Sequence, residues 1–143
     1  MIIKIREEYD IVVARVEAKD MAKQIGFDIV DQTRIATAIS ELARNIIEHG
    51  GGEGVILINQ IKKRDEECDE IDDEGSGRTG LEIVAMDRGP GIDDIEKAME
   101  DGYSSGGGLG IGLGAVKRLM DEFEVWSKVG EGTRVRVVKW IRR

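Results

Sequence analysis

Two polar residues, Glu41 and Asn45, interrupt an apolar helical pattern in the stretch SELARNIIEHGGGEG (residues 40–54). They are four residues apart, so a helix places them on one face, one turn from each other. A carboxylate there can take a proton from a hydroxyl, and an amide oxygen can bind a hard cation such as Mg²⁺. A solvated polar face is the alternative, because Arg44 and Glu48 are close in the sequence.

A second cluster, DRGPG (residues 87–91), directly follows the apolar run LEIVAM. A strand that ends in Asp87 places a carboxylate at the end of a sheet, where it can accept a hydrogen bond from an exocyclic amine such as that of adenine. Gly89 and Gly91 would let a flat ligand approach the backbone. An ordinary tight turn that begins with Asp is the alternative.

Glycine dominates a third stretch, SSGGGLGIGLG (residues 104–114), which leads into a helical pattern. Ordering so many glycines costs much conformational entropy, and a nest of backbone N–H groups around phosphate oxygens is one use that offsets the cost. A flexible linker is the alternative, although linkers rarely carry Leu and Ile between their glycines. In a fourth stretch, GEGT (residues 130–133), Thr133 could help to hold a nucleotide, or the segment is only a hairpin turn.

Hydrophobic periodicity predicts the elements that must position these clusters. The predicted strands are 2–5, 54–61, 80–87 and the two sides of GEGT within 124–141; the predicted helices are Asp10 to Gly26, 32–49, 93–102 and 115–123, the last with Phe123 inward. Asp31 is the expected cap of the second helix, and Asp93 or Asp94 that of the third. Short turns between strands indicate antiparallel pairs. We therefore expect an α+β fold, a two-layer α/β sandwich with a mixed, mostly antiparallel sheet and helices on one face.

Length and charge limit the classes of protein. The 143 residues predict one domain over 1–143, and the net charge of −8 argues against a nucleic-acid partner. No apolar run is long enough to span a membrane, and the N-terminus lacks the core of a signal peptide, so we expect a cytoplasmic protein. Cys68, the single cysteine, falls in an acidic stretch (64–80) that is predicted to be a solvated loop between two strands.

Taken in order, the four clusters resemble the boxes of the GHKL ATPase superfamily. ELARN is similar to its E-x-x-x-N box, DRGPG to D-x-G-x-G, GLGIGL (108–113) to G-x-G-x-G, and GEGT to its last glycine-threonine motif. Within the superfamily, ATAISELARNI, MEDGYSSGGGLGIGLGAVKRLMDEF and VGEGTRV resemble the small anti-sigma-type serine/threonine kinases, in particular the RsbT-type switch kinases of bacterial stressosome pathways. The resemblance covers almost the whole chain.

The resemblance implies a Bergerat ATP-binding fold, with ATP and Mg²⁺ as cofactors and a mobile lid. The roles that it implies are Glu41 as general base, Asn45 as Mg²⁺ ligand, Asp87 on the adenine amine, Gly89 and Gly91 against the base, Gly108, Gly110 and Gly112 around the phosphates, and Thr133 as support of the adenine site. Residues 98–116 contain no Lys or Arg. The charge of the γ-phosphate must then be met by Mg²⁺, backbone amides and Lys117, or by a partner that completes the site.

The implied function is a serine/threonine kinase that phosphorylates a STAS-domain protein in a stress-signalling switch, with a PP2C-type phosphatase as a further partner. One alternative is a non-catalytic, ATP-bound protein that sequesters a sigma factor or activates a phosphatase. Another is a histidine kinase, but the chain lacks a phospho-accepting helix hairpin. Its only histidine, His49, is expected to be a helix cap or a solvated side chain.

Overall fold

The structure, a computed structural model, describes residues 1–64, 77–99 and 112–142. Within these ranges, five strands and four helices follow one another in the predicted order β-α-α-β-β-α-α-β-β. The elements are β1 (Ile2–Ile5), α1 (Glu8–Ile25), α2 (Ile29–His49), β2 (Gly54–Arg64), β3 (Gly77–Asp87), α3 (Ile95–Ala98), α4 (Leu113–Leu119), β4 (Glu122–Lys128) and β5 (Gly132–Trp140).

The strands form one sheet in the order β1-β2-β3-β5-β4. Every neighbouring pair of these strands is antiparallel, so the predicted α+β sandwich is confirmed, and its expected mixed sheet is antiparallel throughout the described strands. Register places Gly54 opposite Asp87, and Asp87 opposite Thr133. One end each of β2, β3 and β5 therefore lies side by side, at the end of the sheet that is next to the C-terminus of α2.

The hydrophobic core lies between the helices and one face of this sheet. Helix α2 supplies the stripe Ile35, Ile39, Leu42 and Ile46, each at most 2% exposed, and the sheet supplies Ile56, Ile58, Ile83 and Val137, each 0% exposed. Burying one such side chain stabilises the fold by roughly 1.5–3 kcal/mol. The opposite face carries no helix of the described part, and its side chains include the exposed Trp126.

Helix α2 begins earlier than predicted, and Asp31 is not its cap. The side chain of Asp28 accepts a hydrogen bond of 2.8 Å from the backbone N–H of Asp31, which makes Asp28 the cap. The carboxylate of Asp31 is buried and lies 3.0 Å from Arg34 Nη1 and 3.8 Å from Lys139 Nζ. The carboxylate that the local sequence assigned to the cap is therefore bonded to Arg34, one turn along α2, with Lys139 of β5 beside it.

Helix α4 ends at Leu119, so the prediction that Phe123 lies on this helix was wrong. The carbonyl of Leu119 accepts a hydrogen bond of 2.8 Å from Lys139 Nζ, and the N–H of Asp121 donates to the carbonyl of Val138 at 2.9 Å. Because of these two bonds to β5, the chain after Leu119 continues as strand β4. Phe123 therefore packs against the core from a strand and not from a helix.

Other boundaries shift by a few residues. Helix α1 begins at Glu8, because Oδ2 of Asp10 accepts hydrogen bonds from the backbone N–H groups of Arg6 and Glu7, at 2.9 and 3.1 Å, and so holds the start of the helix. Asp94 caps α3, as predicted, by accepting from the N–H of Lys97. Strands β2 and β3 are each three residues longer than expected, at the ends that border the acidic stretch; residues 65–76 of that stretch, with Cys68, lie outside the described residues. None of the helices described is long and apolar enough to cross a membrane.

Candidate active site

One face of α2 carries three polar side chains in succession, Glu41, Asn45 and His49. They are spaced by four residues, and each is half-buried beside the apolar stripe that packs on the sheet. Leu42 and Ile46 of that stripe are buried against the sheet and fix the rotation of the helix. The polar face therefore borders the strand ends rather than facing away from the molecule.

A cleft lies between this face, the ends of β3 and β5, and the start of α4. Its apolar walls are Leu42, Ile46, Ala85, Ile92, Leu113 and Val135, and its polar groups are Asn45, His49, Asp87 and Thr133. Apolar walls with a few convergent polar groups are typical of a small-molecule site, and the described residues leave about 30 Å³ of space between them. The structure therefore brings together Asn45, Asp87 and Thr133, which the sequence had assigned to one site from three separate motifs.

Asp87 ends β3 with its carboxylate in this cleft. Burial raises the pKa of this carboxyl above its ordinary value, and hydrogen bonds from the backbone N–H groups of Gly89 and Thr133 act in the opposite direction. The N–H of Gly89 donates to Oδ1 at 2.9 Å. A Cβ on Gly50 would lie 2.6 Å from Oδ2, so the end of α2 closes tightly over the carboxylate.

The two glycines of DRGPG are required by the packing of the chain itself. A Cβ on Gly89 would collide with the backbone of Gly50, and one on Gly91, where φ is +79°, would collide with the carbonyl of Lys128. The loop is held between the end of α2 and the β4–β5 hairpin. Contact of these glycines with a flat ligand stays a prediction.

The hydroxyl of Ser127 fixes how Thr133 presents its own hydroxyl. Ser127 Oγ accepts from the N–H of Ile92 at 2.7 Å and lies 3.0 Å from the carbonyl of Gly132, which can only accept. The single Ser127 hydrogen therefore goes to Gly132, and the hydroxyl of Thr133, 2.9 Å away, donates to Ser127. The remaining lone pairs of Thr133 Oγ1 make it an acceptor toward the cleft, beside the acceptor Asp87.

The side chain of Glu41 extends from α2 to the start of α4. Its Oε1 accepts a hydrogen bond of 2.8 Å from Arg44 Nη1, and a Cβ on Gly112 would sit 2.5 Å from Oε2. Gly112, with φ of +87°, is the N-cap of α4. Of the three glycines predicted to wrap phosphates, only Gly112 is placed, because Gly108 and Gly110, like the predicted lid EDGYSSGGG (100–108), lie outside the described residues.

Two buried nitrogens that line the cleft have no hydrogen-bond partner among the described residues, Asn45 Nδ2 and His49 Nε2. A buried polar atom without a partner costs roughly 1–3 kcal/mol, which a ligand in the cleft would recover. The expectation that His49 is a cap or a solvated side chain was therefore wrong: its side chain is 17% exposed and faces the cleft. The signal that could have found it is its spacing, four residues after Asn45.

The family follows from comparison of the chain with known proteins. Residues 6–139 match the family model of the histidine kinase-like ATPase domain. The chain belongs to this family. The predicted membership of the GHKL superfamily is thereby confirmed, and use of ATP is implied for a histidine kinase-like ATPase domain.

Individual relatives of this histidine kinase-like ATPase domain match over most of their lengths. The chain is 51% identical over 140 residues to the serine/threonine-protein kinase RsbT of Bacillus subtilis (strain 168), covering 98% of this chain and 96% of that one. It is 34% identical over 133 residues to the anti-sigma F factor of Thermoanaerobacter sp. (strain X514), covering 90% and 83%. The anti-sigma F factor of Anoxybacillus flavithermus (strain DSM 21510 / WK1) is 29% identical over 136 residues, covering 91% and 84%.

A metal ion in this histidine kinase-like ATPase domain would have few protein ligands. The described residues contain no group of three or more His, Cys, Asp and Glu side chains that could hold one. The amide of Asn45, with its unpartnered nitrogen in the cleft, offers one hard oxygen ligand. That donor set fits Mg²⁺, which usually keeps several waters and takes further oxygens from bound phosphates.

Proposed function

We propose that this chain is an ATP-dependent protein serine/threonine kinase that phosphorylates a STAS-domain protein in a bacterial stress-signalling switch. The observation that carries the proposal is the position of Glu41, whose Oε2 faces the start of α4 on the same helix face as the cleft residue Asn45. The 51% identity to a protein named as a serine/threonine kinase supports the same activity.

The base of ATP is assigned to the Asp87 side of the cleft. Asp87 and Thr133 both present acceptors there, and the exocyclic amine of adenine offers two hydrogens. Guanine carries a carbonyl oxygen at the corresponding position, so two acceptors would face a third. The apolar walls, such as Ile92 and Val135, suit the faces of the ring, with Gly89 and Gly91 shaping the loop beside it.

The phosphates are assigned to the end of the cleft at Asn45 and α4. Asn45 would hold Mg²⁺ through its amide oxygen, and bound Mg²⁺ would neutralise charge on the β- and γ-phosphate oxygens. Gly108, Gly110 and Gly112 are proposed to wrap these oxygens with their N–H groups. Arg44, which the sequence left on a solvated face, holds Oε1 of Glu41 and so directs Oε2 toward this end.

Glu41 is the proposed general base. Its Oε2 takes the proton of the substrate serine or threonine while the hydroxyl oxygen bonds to the γ-phosphorus. The bond from the γ-phosphorus to the bridging oxygen breaks, and ADP leaves. Phosphoryl transfer depends mainly on position and charge, and general-base catalysis adds typically 10²–10⁴-fold.

The kinase is proposed to be one catalytic domain that acts in the cytoplasm, with a PP2C-type phosphatase as a second partner.

The names of two relatives favour a second candidate function, since the relatives at 34% and 29% identity are named anti-sigma factors. The alternative is a non-catalytic, ATP-bound protein that binds a sigma factor or activates a phosphatase.

The test compares Glu41→Ala with Thr37→Ala, a control on the exposed side of the same helix. Each protein is incubated with radiolabelled MgATP and the cognate STAS protein, and ADP affinity is measured by calorimetry. We expect label on serine or threonine with the wild type and Thr37→Ala, and at least about 10²-fold less label with Glu41→Ala, at unchanged ADP affinity. Full transfer by Glu41→Ala contradicts the assignment of the base. Binding of ATP and partner by the wild type without any transfer supports the non-catalytic alternative.

A further inference from the structure

A row of five side chains crosses the helix-free face of the sheet at the end nearest the cleft. Register pairs Lys4 with Val55, Val55 with Met86, Met86 with Arg134, and Arg134 with Trp126. The row thus takes one residue from each strand, and neighbouring strands are ~4.8 Å apart, which gives a row ~19 Å long. Its middle is apolar, and cations flank it.

These side chains line a groove of about 590 Å³, together with Arg6, Arg88 and Glu53 at its rim. Trp126, which is 53% exposed, forms one side. The groove is separate from the nucleotide cleft, although Asp87 and Thr133 touch both.

Four cations of the groove have no ion pair with any residue that the structure describes; they are Lys4, Arg6, Arg88 and Arg134, all exposed. Arg136 shows the contrast. It follows Arg134 by two residues on the same face, yet it lies 2.6 Å from Glu82 Oε2, 3.7 Å from Glu122 Oε1 and 3.9 Å from Glu124 Oε2. The same face therefore neutralises one arginine with three carboxylates and leaves its neighbour available.

We propose that this groove docks an acidic, extended segment of a partner protein. Carboxylates of the segment would meet Lys4 and Arg134, and an apolar side chain between them would lie on Met86 and Trp126. Arginine, tryptophan and methionine are the residue types enriched in the buried centres of protein interfaces. An extended chain rises ~3.3 Å per residue, so about six residues would cover the row. The proposal does not rest on phosphoryl transfer.

Charge argues against two other occupants. The chain as a whole carries a net charge of −8, which opposes a long, continuously charged nucleic-acid backbone that would extend beyond the groove. A second copy of this chain carries the same net charge of −8, which opposes self-association. An acidic segment of about six residues would keep its carboxylates within the groove, beside the four cations.

The test uses a fluorescein-labelled eight-residue peptide that alternates glutamate with leucine, titrated by fluorescence anisotropy. A peptide that alternates lysine with leucine is the charge control. We expect the acidic peptide to bind the wild type more weakly as salt rises, and Arg134→Glu and Lys4→Glu each to weaken binding at least tenfold. Lys63→Glu is the matched control, because Lys63 lies on the same side of β2, eight residues or ~26 Å from Val55.

Several outcomes would overturn the proposal. They are absence of binding by the acidic peptide, equal binding of the lysine peptide, equal loss with Lys63→Glu, or a concentration-dependent dimer in ultracentrifugation that Arg134→Glu abolishes. The last would make the groove an interface between copies. If Arg134→Glu unfolds at the same temperature as the wild type, its loss of binding is a loss of docking and not of folding. If Arg134→Glu does not fold, the binding measured with Lys4→Glu, on the edge strand β1, decides the proposal.

Discussion

The backbone of Gly112 lies directly against the carboxylate of Glu41, so that a Cβ on Gly112 would be 2.5 Å from Oε2. These residues are 71 positions apart in the sequence and belong to different motifs. Their contact joins the end of the glycine-rich stretch to the proposed general base. It also explains why this position, with φ of +87°, has no room for a side chain.

Gly112→Ala should therefore harm catalysis more than it harms the fold. The strained backbone costs about 1–3 kcal/mol of stability, and the added methyl displaces Glu41. Gly130→Ala is the control, because Gly130 has a similar φ of +83° but nothing within 4 Å of its would-be Cβ. We expect similar losses of unfolding free energy in urea, but a fall in transfer rate with Gly112→Ala alone. Equal transfer rates in the two variants would show that the contact has no effect on Glu41.

Asp87 should make the protein less stable as pH rises. Burial raises the pKa of its carboxyl in the folded state, so the folded protein favours the protonated form. The favourable contribution is present below the ordinary pKa of an unfolded aspartate, about 3.9, and is lost as pH rises through the higher folded pKa.

The variant Asp87→Asn cannot ionise at this position. We expect it to be at least as stable as the wild type at pH 7 and to lose that advantage toward pH 4, while its affinity for ATP falls. Urea unfolding at several pH values measures the difference. A wild type that gains stability over the variant between pH 4 and pH 7 would contradict the direction given for this carboxyl.

Thr133 should select adenine over guanine through the acceptor that Ser127 imposes on it. Thr133→Val removes that acceptor and should weaken ADP binding by roughly 1 kcal/mol, about fivefold, and strengthen the weaker GDP binding, because one of the two acceptors that face the guanine carbonyl is gone. Ser127→Ala should act in the same direction, because the hydroxyl of Thr133 is then free to turn. Calorimetric titration of both nucleotides is the measurement, and Thr37→Val on the exposed side of α2 is the control. Equal losses for ADP and GDP would argue against a base-specific role.

Lys139 should be critical for folding although it lies far from the cleft. Its side chain is 4% exposed and lies 3.5 Å from Asp121, 3.8 Å from Asp31 and 2.8 Å from the carbonyl of Leu119. Lys139→Met leaves a buried carboxylate without this partner and should cost about 3–5 kcal/mol in urea unfolding. Lys128→Met, in a surface ion pair, should cost about 0.5 kcal/mol or less. If adding Asp31→Asn to Lys139→Met recovers no stability, the charge of Asp31 is not the cause.

Most of the fold could be predicted from local pattern. The apolar stripe Ile35, Ile39, Leu42 and Ile46 gave α2, and the glycine turns gave the strand ends. The errors at Asp31 and Phe123 have different causes. Asp28, three residues earlier, caps α2 in place of Asp31, and both residue types suit a cap. The end of α4 instead depends on Lys139 of β5, which donates to the carbonyl of Leu119 and which no residue near Leu119 in the sequence indicates.

The sequence by itself determined the family, the order of elements and the residue types of the site, because periodicity and motif spacing depend on near neighbours along the chain. Only the tertiary structure decided that Gly112 touches Glu41, that Ser127 turns Thr133 into an acceptor, that His49 faces the cleft, and that one row of the sheet leaves Arg134 beside Trp126 without a carboxylate. Each of these depends on the register and packing of segments that are distant in sequence. Such contacts form only when the whole core closes.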